Sequence, residues 1–210
     1  MNPFLNTLLL TYAALFPIIN PVGSAPIFLS LTNASERGAL AWRVARNSFI
    51  LLLASVVVGS HVLEFFGISV PVLRIGGGLV VTSFGWKLLN SGIADGHDEA
   101  ARAGATDSFY PLTMPLTVGP GSISVAITLG SQRPKEVAAE YLALLGSAVV
   151  AGLVAIAATI YLCYRFSEPL VRRLGVSGTN VVVRLSAFIL LCIGIQIIWS
   201  GWSELSALPH

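Results

Sequence analysis

The chain has 210 residues, 55% of them hydrophobic and 10% charged, with a mean hydropathy of +0.81. Soluble domains carry roughly a quarter of charged residues, so this composition excludes an ordinary soluble domain and points to an integral membrane protein. A net charge of +2, carried by dispersed basic residues, excludes a nucleic-acid-binding face.

A bilayer core of about 30 Å needs roughly 20 predominantly apolar residues per helix, and six stretches meet that requirement. The first covers residues 5–31. No Lys or Arg precedes its apolar run, so it is expected to persist rather than to be cleaved as a signal peptide. Pro17, Pro21 and Pro26 interrupt it, with Asn20, Gly23 and Ser24 between them. Each proline removes a backbone donor and clashes with the preceding turn, so a broken helix is predicted.

The second span, 44–66, ends near His61 and Glu64, one turn apart. An interfacial pair in contact with water is preferred there over a proton relay. The third span, 70–91, carries Arg74, the run Gly76, Gly77, Gly78, and Gly85. These small residues predict a close helix contact; no strand precedes them, so a phosphate cradle is not indicated. The connector from Ser91 to Asp107 holds Asp95, Asp98 and Glu99 with Gly92, Gly96 and Gly104, and is predicted to be a flexible solvated link.

The fourth span, 110–131, is interrupted by Pro111, Pro115 and Pro120. The fifth and sixth cover 137–163 and 179–203. Cys163 and Cys192 lack CxxC or metal spacing and are predicted to pack as small residues. Gln196 lies deep in the sixth span, where helix packing is preferred over substrate contact. Trp86, Trp199 and Trp202 sit near span ends, as an interfacial aromatic belt requires. Arg74 and Arg184 lie a few residues inside their spans, where snorkelling to the headgroups is preferred over an interior role as a gate or a neutraliser of half-helix carbonyls.

The proline pattern repeats at a constant offset of 94 residues: Phe16 with Tyr110, Pro17 with Pro111, Pro21 with Pro115, Pro26 with Pro120. A second correspondence joins Phe66, Gly67, Ile68, Ser69 to Leu174, Gly175, Val176, Ser177. The following Arg74 and Arg184 are offset by 110, which implies an insertion before the sixth span. The predicted fold is all-α, with six transmembrane helices in two three-helix repeats and the first and fourth helices broken. Residues 1–92 form the first repeat, 93–109 the connecting loop and 110–210 the second repeat. Three spans is an odd number, so the second repeat is inverted.

Basic residues set the orientation. Arg37, Arg43, Arg46, Lys87, Arg102, Arg165, Arg172, Arg173 and Arg184 fall on one side, against Arg74, Arg133 and Lys135 on the other, which puts both termini outside.

Two broken helices at matching positions of inverted repeats suggest a transport site. Irregular backbone survives in hydrocarbon only where protein or a water-filled cavity surrounds it. A half-helix that restarts there presents unpaired N–H groups and a positive dipole end, suited to an anionic group. The predicted substrate-binding residues are Asn20, Gly23, Ser24, Thr113, Thr117, Gly119, Gly121 and Ser122, with Ser124 at similar depth. The helix-breaking residues are Pro17, Pro21, Pro26, Pro111, Pro115 and Pro120. All ten acidic residues fall in loops or near span ends. A substrate ammonium would therefore meet carbonyls of 18–22 and 114–117 or side-chain oxygens, and the chemistry suits a small zwitterion.

Three segments carry a family resemblance: residues 20–28 (Asn20 through Pro26 to Phe28), 114–123 (Met114 through Pro120 to Ile123) and 66–78 (Phe66 through Arg74 to Gly78). In order and along essentially the whole chain, the sequence resembles the MarC family of membrane proteins, which includes the SnatA neutral amino acid transporters. Gly76 stands where the family pattern often has alanine. The resemblance implies an inner-membrane carrier of small neutral amino acids such as glycine and alanine, with the lipid bilayer as its setting and H+ or Na+ as candidate coupling ions. No metal or cofactor is implied. Drug efflux does not follow, because a bulky amphiphile would want a large apolar and aromatic pocket.

The competing readings are a non-transporting membrane partner protein and an exporter of another small polar metabolite. An intramembrane enzyme is disfavoured: the chain has no HExxH, no GxSxG and no cysteine–histidine pairing.

Overall fold

The computed structural model describes residues 2–91, 107–131 and 139–207. The connector predicted to be flexible lies, over residues 92–106, outside the described residues, as do Arg102, Arg133 and Lys135 of the charge count. The described residues are all helical in architecture: α1 (Pro3–Ile19), α2 (Pro21–Leu31), α3 (Arg37–Phe65), α4 (Val70–Ser91), α5 (Ser108–Thr117), α6 (Pro120–Ser131), α7 (Ala139–Arg165) and α8 (Ser167–Ser206). The helices α3, α4, α7 and α8 are each long and apolar enough to cross a membrane. The pairs α1–α2 and α5–α6 are bent by 45° and 73°, and bring the number of spans to six if each pair is one span.

The first break lies at a single residue. Pro21 disfavours a helical conformation in the residue before it, and Asn20 takes up the left-handed conformation (φ 48°, ψ 54°) that asparagine tolerates better than most side chains. It serves both helices: its N–H donates to the Phe16 carbonyl and closes α1, while its Oδ1 accepts from the Gly23 N–H and caps α2. Pro17 and Pro26, predicted as breakers, lie inside α1 and α2. One interruption between them is enough to turn the chain.

The second break has a different construction. The segment α5 is wound as a π-helix containing Pro111 and Pro115, with Tyr110 and Met114 outside helical geometry. Two threonines supply donors where the prolines have none. Thr113 Oγ1 donates to the Ser108 carbonyl and Thr117 Oγ1 to the Leu112 carbonyl, both five residues back, at 2.7 Å. The Val118 N–H follows the same spacing to Thr113. These bonds satisfy backbone oxygens that apolar surroundings would otherwise strand.

The sixth span starts earlier than predicted. Residues 167–174 are helical rather than loop, and α8 continues to Ser206 across a kink at Gly175 (φ 64°, ψ −178°), a conformation essentially confined to glycine. Pro169 falls in the first turn of α8, where its missing donor costs nothing.

Packing between spans depends on close approach, since lipid tails are as apolar as the side chains. A glycine seam joins α4 to α8. A Cβ at Gly78 would lie 2.8 Å from the Gly194 carbonyl, one at Gly85 would lie 2.7 Å from the Leu191 nitrogen, and one at Gly201 would lie 2.7 Å from the Pro71 carbonyl. Gly77 instead faces Ser124 on α6, and Gly76 faces open space. Elsewhere α1 packs on α7 and α3 on α5; α3 packs on α6 and α2 on α7; α4 packs on α6 and α2 on α8. The main core gathers Leu15, Phe28, Leu52, Leu112, Ile156 and Tyr164, all fully or almost fully buried. A smaller cluster of Ile27, Leu88, Val183 and Ala187 lies between α2, α4 and α8.

Candidate functional site

A cavity of about 90 Å3 lies at the second break and is reached by the end of α1. Ile18 and Ile19 bring the end of α1 to it. Pro115, Leu116, Thr117, Gly119, Pro120, Gly121 and Ser122 bring the turn from α5 into α6, and Val80, Val81, Phe84 and Leu190 close it from α4 and α8. No charged side chain is among these residues.

Its polar groups have defined directions. The first backbone bond of α6 runs from the Ile123 N–H to the Gly119 carbonyl at 3.1 Å. The N–H groups of Gly121 and Ser122 precede it, and Pro120 has none, so the cavity borders two orphan donors at a positive helix end. Ser122 Oγ donates to the Gly119 carbonyl at 2.9 Å, which leaves its lone pairs as acceptors. Thr117 Oγ1 donates to Leu112 and also lies 2.8 Å from Tyr164 Oη.

Of the predicted binding residues, the structure brings Thr117, Gly119, Gly121 and Ser122 together around this cavity, with Pro115 and Pro120 beside them. Asn20, Gly23, Ser24 and Thr113 do not line it. Thr113 is fully buried and engaged with Ser108. Gly23 lies beneath the Asn20 amide, so closely that a Cβ would collide with it. Asn20 Nδ2 is buried without a hydrogen-bond partner. Ser24 is buried at 4% exposure. Ser124 leaves the site to donate to the Leu73 carbonyl at 3.1 Å.

The residue that sequence reasoning missed is Tyr164. It lies one position past the predicted end of the fifth span and beside Arg165, so it reads as an interfacial aromatic. The structure buries it completely and stacks its ring on Phe28, with centroids 4.3 Å apart. No signal within the chain distinguishes it from the exposed Tyr141 of the same helix.

The other polar candidates fall elsewhere. His61 and Glu64 are exposed on α3 and form no ion pair, and Arg184 and Gln196 are exposed on α8. Arg74 pairs with Glu204 and reaches Thr128. Among the described residues no group of His, Cys, Asp and Glu could hold a metal ion.

Comparison with known proteins gives a consistent result. A family model described as "MarC family integral membrane protein" matches residues 5–206. The chain is 32% identical over 199 residues to the membrane protein YvbG of Bacillus subtilis, covering 90% of this chain and 91% of that protein. It is 30% identical over 211 residues to a membrane protein of Archaeoglobus fulgidus, covering 96% and 94%. It is 31% identical over 209 residues to the inner membrane protein MarC of Salmonella typhimurium, covering 93% and 94%. No solved structure matches.

Proposed function

The chain belongs to the MarC family of integral membrane proteins, a family of membrane transporters and not of enzymes, and from that premise we propose that it carries small neutral amino acids of the glycine and alanine class. It does so by alternating access, holding its cargo at the two broken helices.

The observation that carries this reading is the cavity at the second break, reached by the end of α1. Its volume of about 90 Å3 is well below the roughly 300–1,000 Å3 of pockets for drug-sized ligands, which favours a cargo of a few heavy atoms. Its uncharged wall suits a molecule without net charge. The orphan amides of α6 suit a carboxylate, and the oxygens of Thr117 and Ser122 suit an ammonium group.

Alternating access draws on an inverted repeat of residues 1–92 and 110–210, joined by 93–109. In support, a bent pair followed by two long helices occurs twice in the element order. The packing of α4 on α6 has its counterpart in α8 on α2, and that of α1 on α7 in α5 on α3. In this reading both termini lie outside and the protein sits in the bacterial inner membrane, as the name of the Salmonella relative says of that protein. A coupling Na+ would find carbonyls at the breaks. A proton would find no buried carboxylate, since every described Asp and Glu is exposed.

The test is uptake of labelled glycine and alanine by purified protein in liposomes, with thermal-shift screening against the amino acids in the presence and absence of sodium. Saturable uptake, accelerated by amino acid on the trans side, is expected. A folded preparation with no uptake, no exchange and no ligand-induced shift would overturn the proposal, and a stoichiometric co-purifying protein would then favour a partner role.

A further inference from the structure

Tyr164 stands where the two broken helices meet and belongs to neither. It is carried by α7, is fully buried, and rests its ring on Phe28 of α2. Its hydroxyl lies 2.8 Å from Thr117 Oγ1, at the end of α5.

The proton directions in this chain are fixed by chemistry. Thr117 Oγ1 lies 2.7 Å from the Leu112 carbonyl, which can only accept, so the single Thr117 proton is committed there. Tyr164 must therefore donate to Thr117. The order is Tyr164 to Thr117 to Leu112. Thr117 is the member that borders the 90 Å3 cavity. With its proton held by Leu112 and one lone pair by Tyr164, it can offer the cavity an acceptor and not a donor.

We infer that Tyr164 is a positioning residue of the transport site: its hydroxyl fixes Thr117 as an acceptor on the cavity wall, and its ring, stacked on Phe28, ties that wall to α2. The inference rests on the transport reading above. Tyr164 itself is not among the residues lining the cavity and acts through Thr117. The wall then selects cargo that presents an N–H or O–H to Thr117. Loss of the hydroxyl weakens cargo binding more than it slows turnover.

The experiment uses the full chain in liposomes. Tyr164→Phe keeps the ring and its stack on Phe28 and removes only the hydroxyl. The apparent KM for glycine is expected to rise about five- to tenfold, with Vmax within about twofold. The variant Thr117→Val/Tyr164→Phe is expected to be no worse than Thr117→Val alone, because residues acting as one unit are not additive. An unchanged KM in Tyr164→Phe, or losses that multiply in the double variant, overturns the inference. A second arm needs no substrate. Amide hydrogen exchange over residues 112–123 is expected to accelerate in Tyr164→Phe, while exchange over 40–56 on α3 stays as in the wild type. Unchanged exchange over 112–123 overturns the positioning role. This arm decides even if the wild type moves no amino acid, an outcome that would sink the proposed cargo instead.

Discussion

Arg74 on α4 is ion-paired with Glu204 near the end of α8, and the same guanidinium lies 3.5 Å from the Thr128 hydroxyl on α6. Three elements that border the 90 Å3 cavity are thus joined about two helical turns along α4 from Val81. The sequence prefers snorkelling over an interior role for Arg74; the structure gives its guanidinium a partner on each of two neighbouring helices. Glu204 is half exposed, so the pair contributes no more than about 1 kcal/mol. Arg74→Met is expected to lower the unfolding temperature in detergent by about 2–4 °C, and the exchange Arg74→Glu with Glu204→Arg to recover part of it. No change in either variant would show that the pair contributes nothing to stability.

Glycine positions that look alike in the sequence should differ sharply. A Cβ at Gly130 would collide with the backbone carbonyl of Val56 on α3, whereas one at Gly76 meets nothing within 4 Å. Gly130→Ala is expected to cost about 1–3 kcal/mol or more through overpacking against backbone. Gly76→Ala is expected to stay within about 0.5 kcal/mol of the wild type. Thermal unfolding of the two variants side by side checks both.

Asn20 combines a backbone and a side-chain role, and two substitutions separate them. Asn20→Ala loses the cap on Gly23 and strains the left-handed conformation, costing about 1–2 kcal/mol. Asn20→Gly tolerates that conformation and costs a few tenths. If the unpartnered Nδ2 serves transport, uptake falls in both variants, including the one whose melting temperature is near wild type. Full uptake by Asn20→Gly would confine Asn20 to capping.

Substitutions at Thr117 test the chain of hydroxyls from its other end. Thr117→Ser keeps the bonds to Leu112 and Tyr164. Thr117→Val leaves the buried Tyr164 donor unpaired, at about 1–3 kcal/mol. Uptake and melting temperature are expected to stay close to wild type in Thr117→Ser and to fall together in Thr117→Val. Equal behaviour of the two would remove the hydroxyl from the site.

The spans were legible because an apolar run of roughly twenty residues matches the thickness of a bilayer core, and the breaks because proline acts locally on its own backbone. Which proline interrupts the helix was not legible. Pro17 and Pro26 are absorbed inside α1 and α2, and the turn falls on Asn20, whose left-handed geometry and double cap satisfy both helix ends at one residue. The cavity was legible on the side of Thr117, Gly119, Gly121 and Ser122, which follow one another through the second break. The opposite walls, Val81, Phe84 and Leu190, are apolar residues among many, and only the α4–α8 packing assigns them. Tyr164 escaped for the same reason: its partners Phe28 and Thr117 are far from it in the chain. The helical segment 167–174 escaped because its arginines and Gly175 read as loop.

The glycine seam between α4 and α8 also constrains how the protein is made. The two helices approach so closely that each depends on the other's backbone, yet α8 is synthesised after every other described element. While the ribosome is still producing α7, α4 must wait in the bilayer with its notched face open to lipid. Assembly of the seam is therefore a late event that completes the first half of the chain only when the last helix arrives.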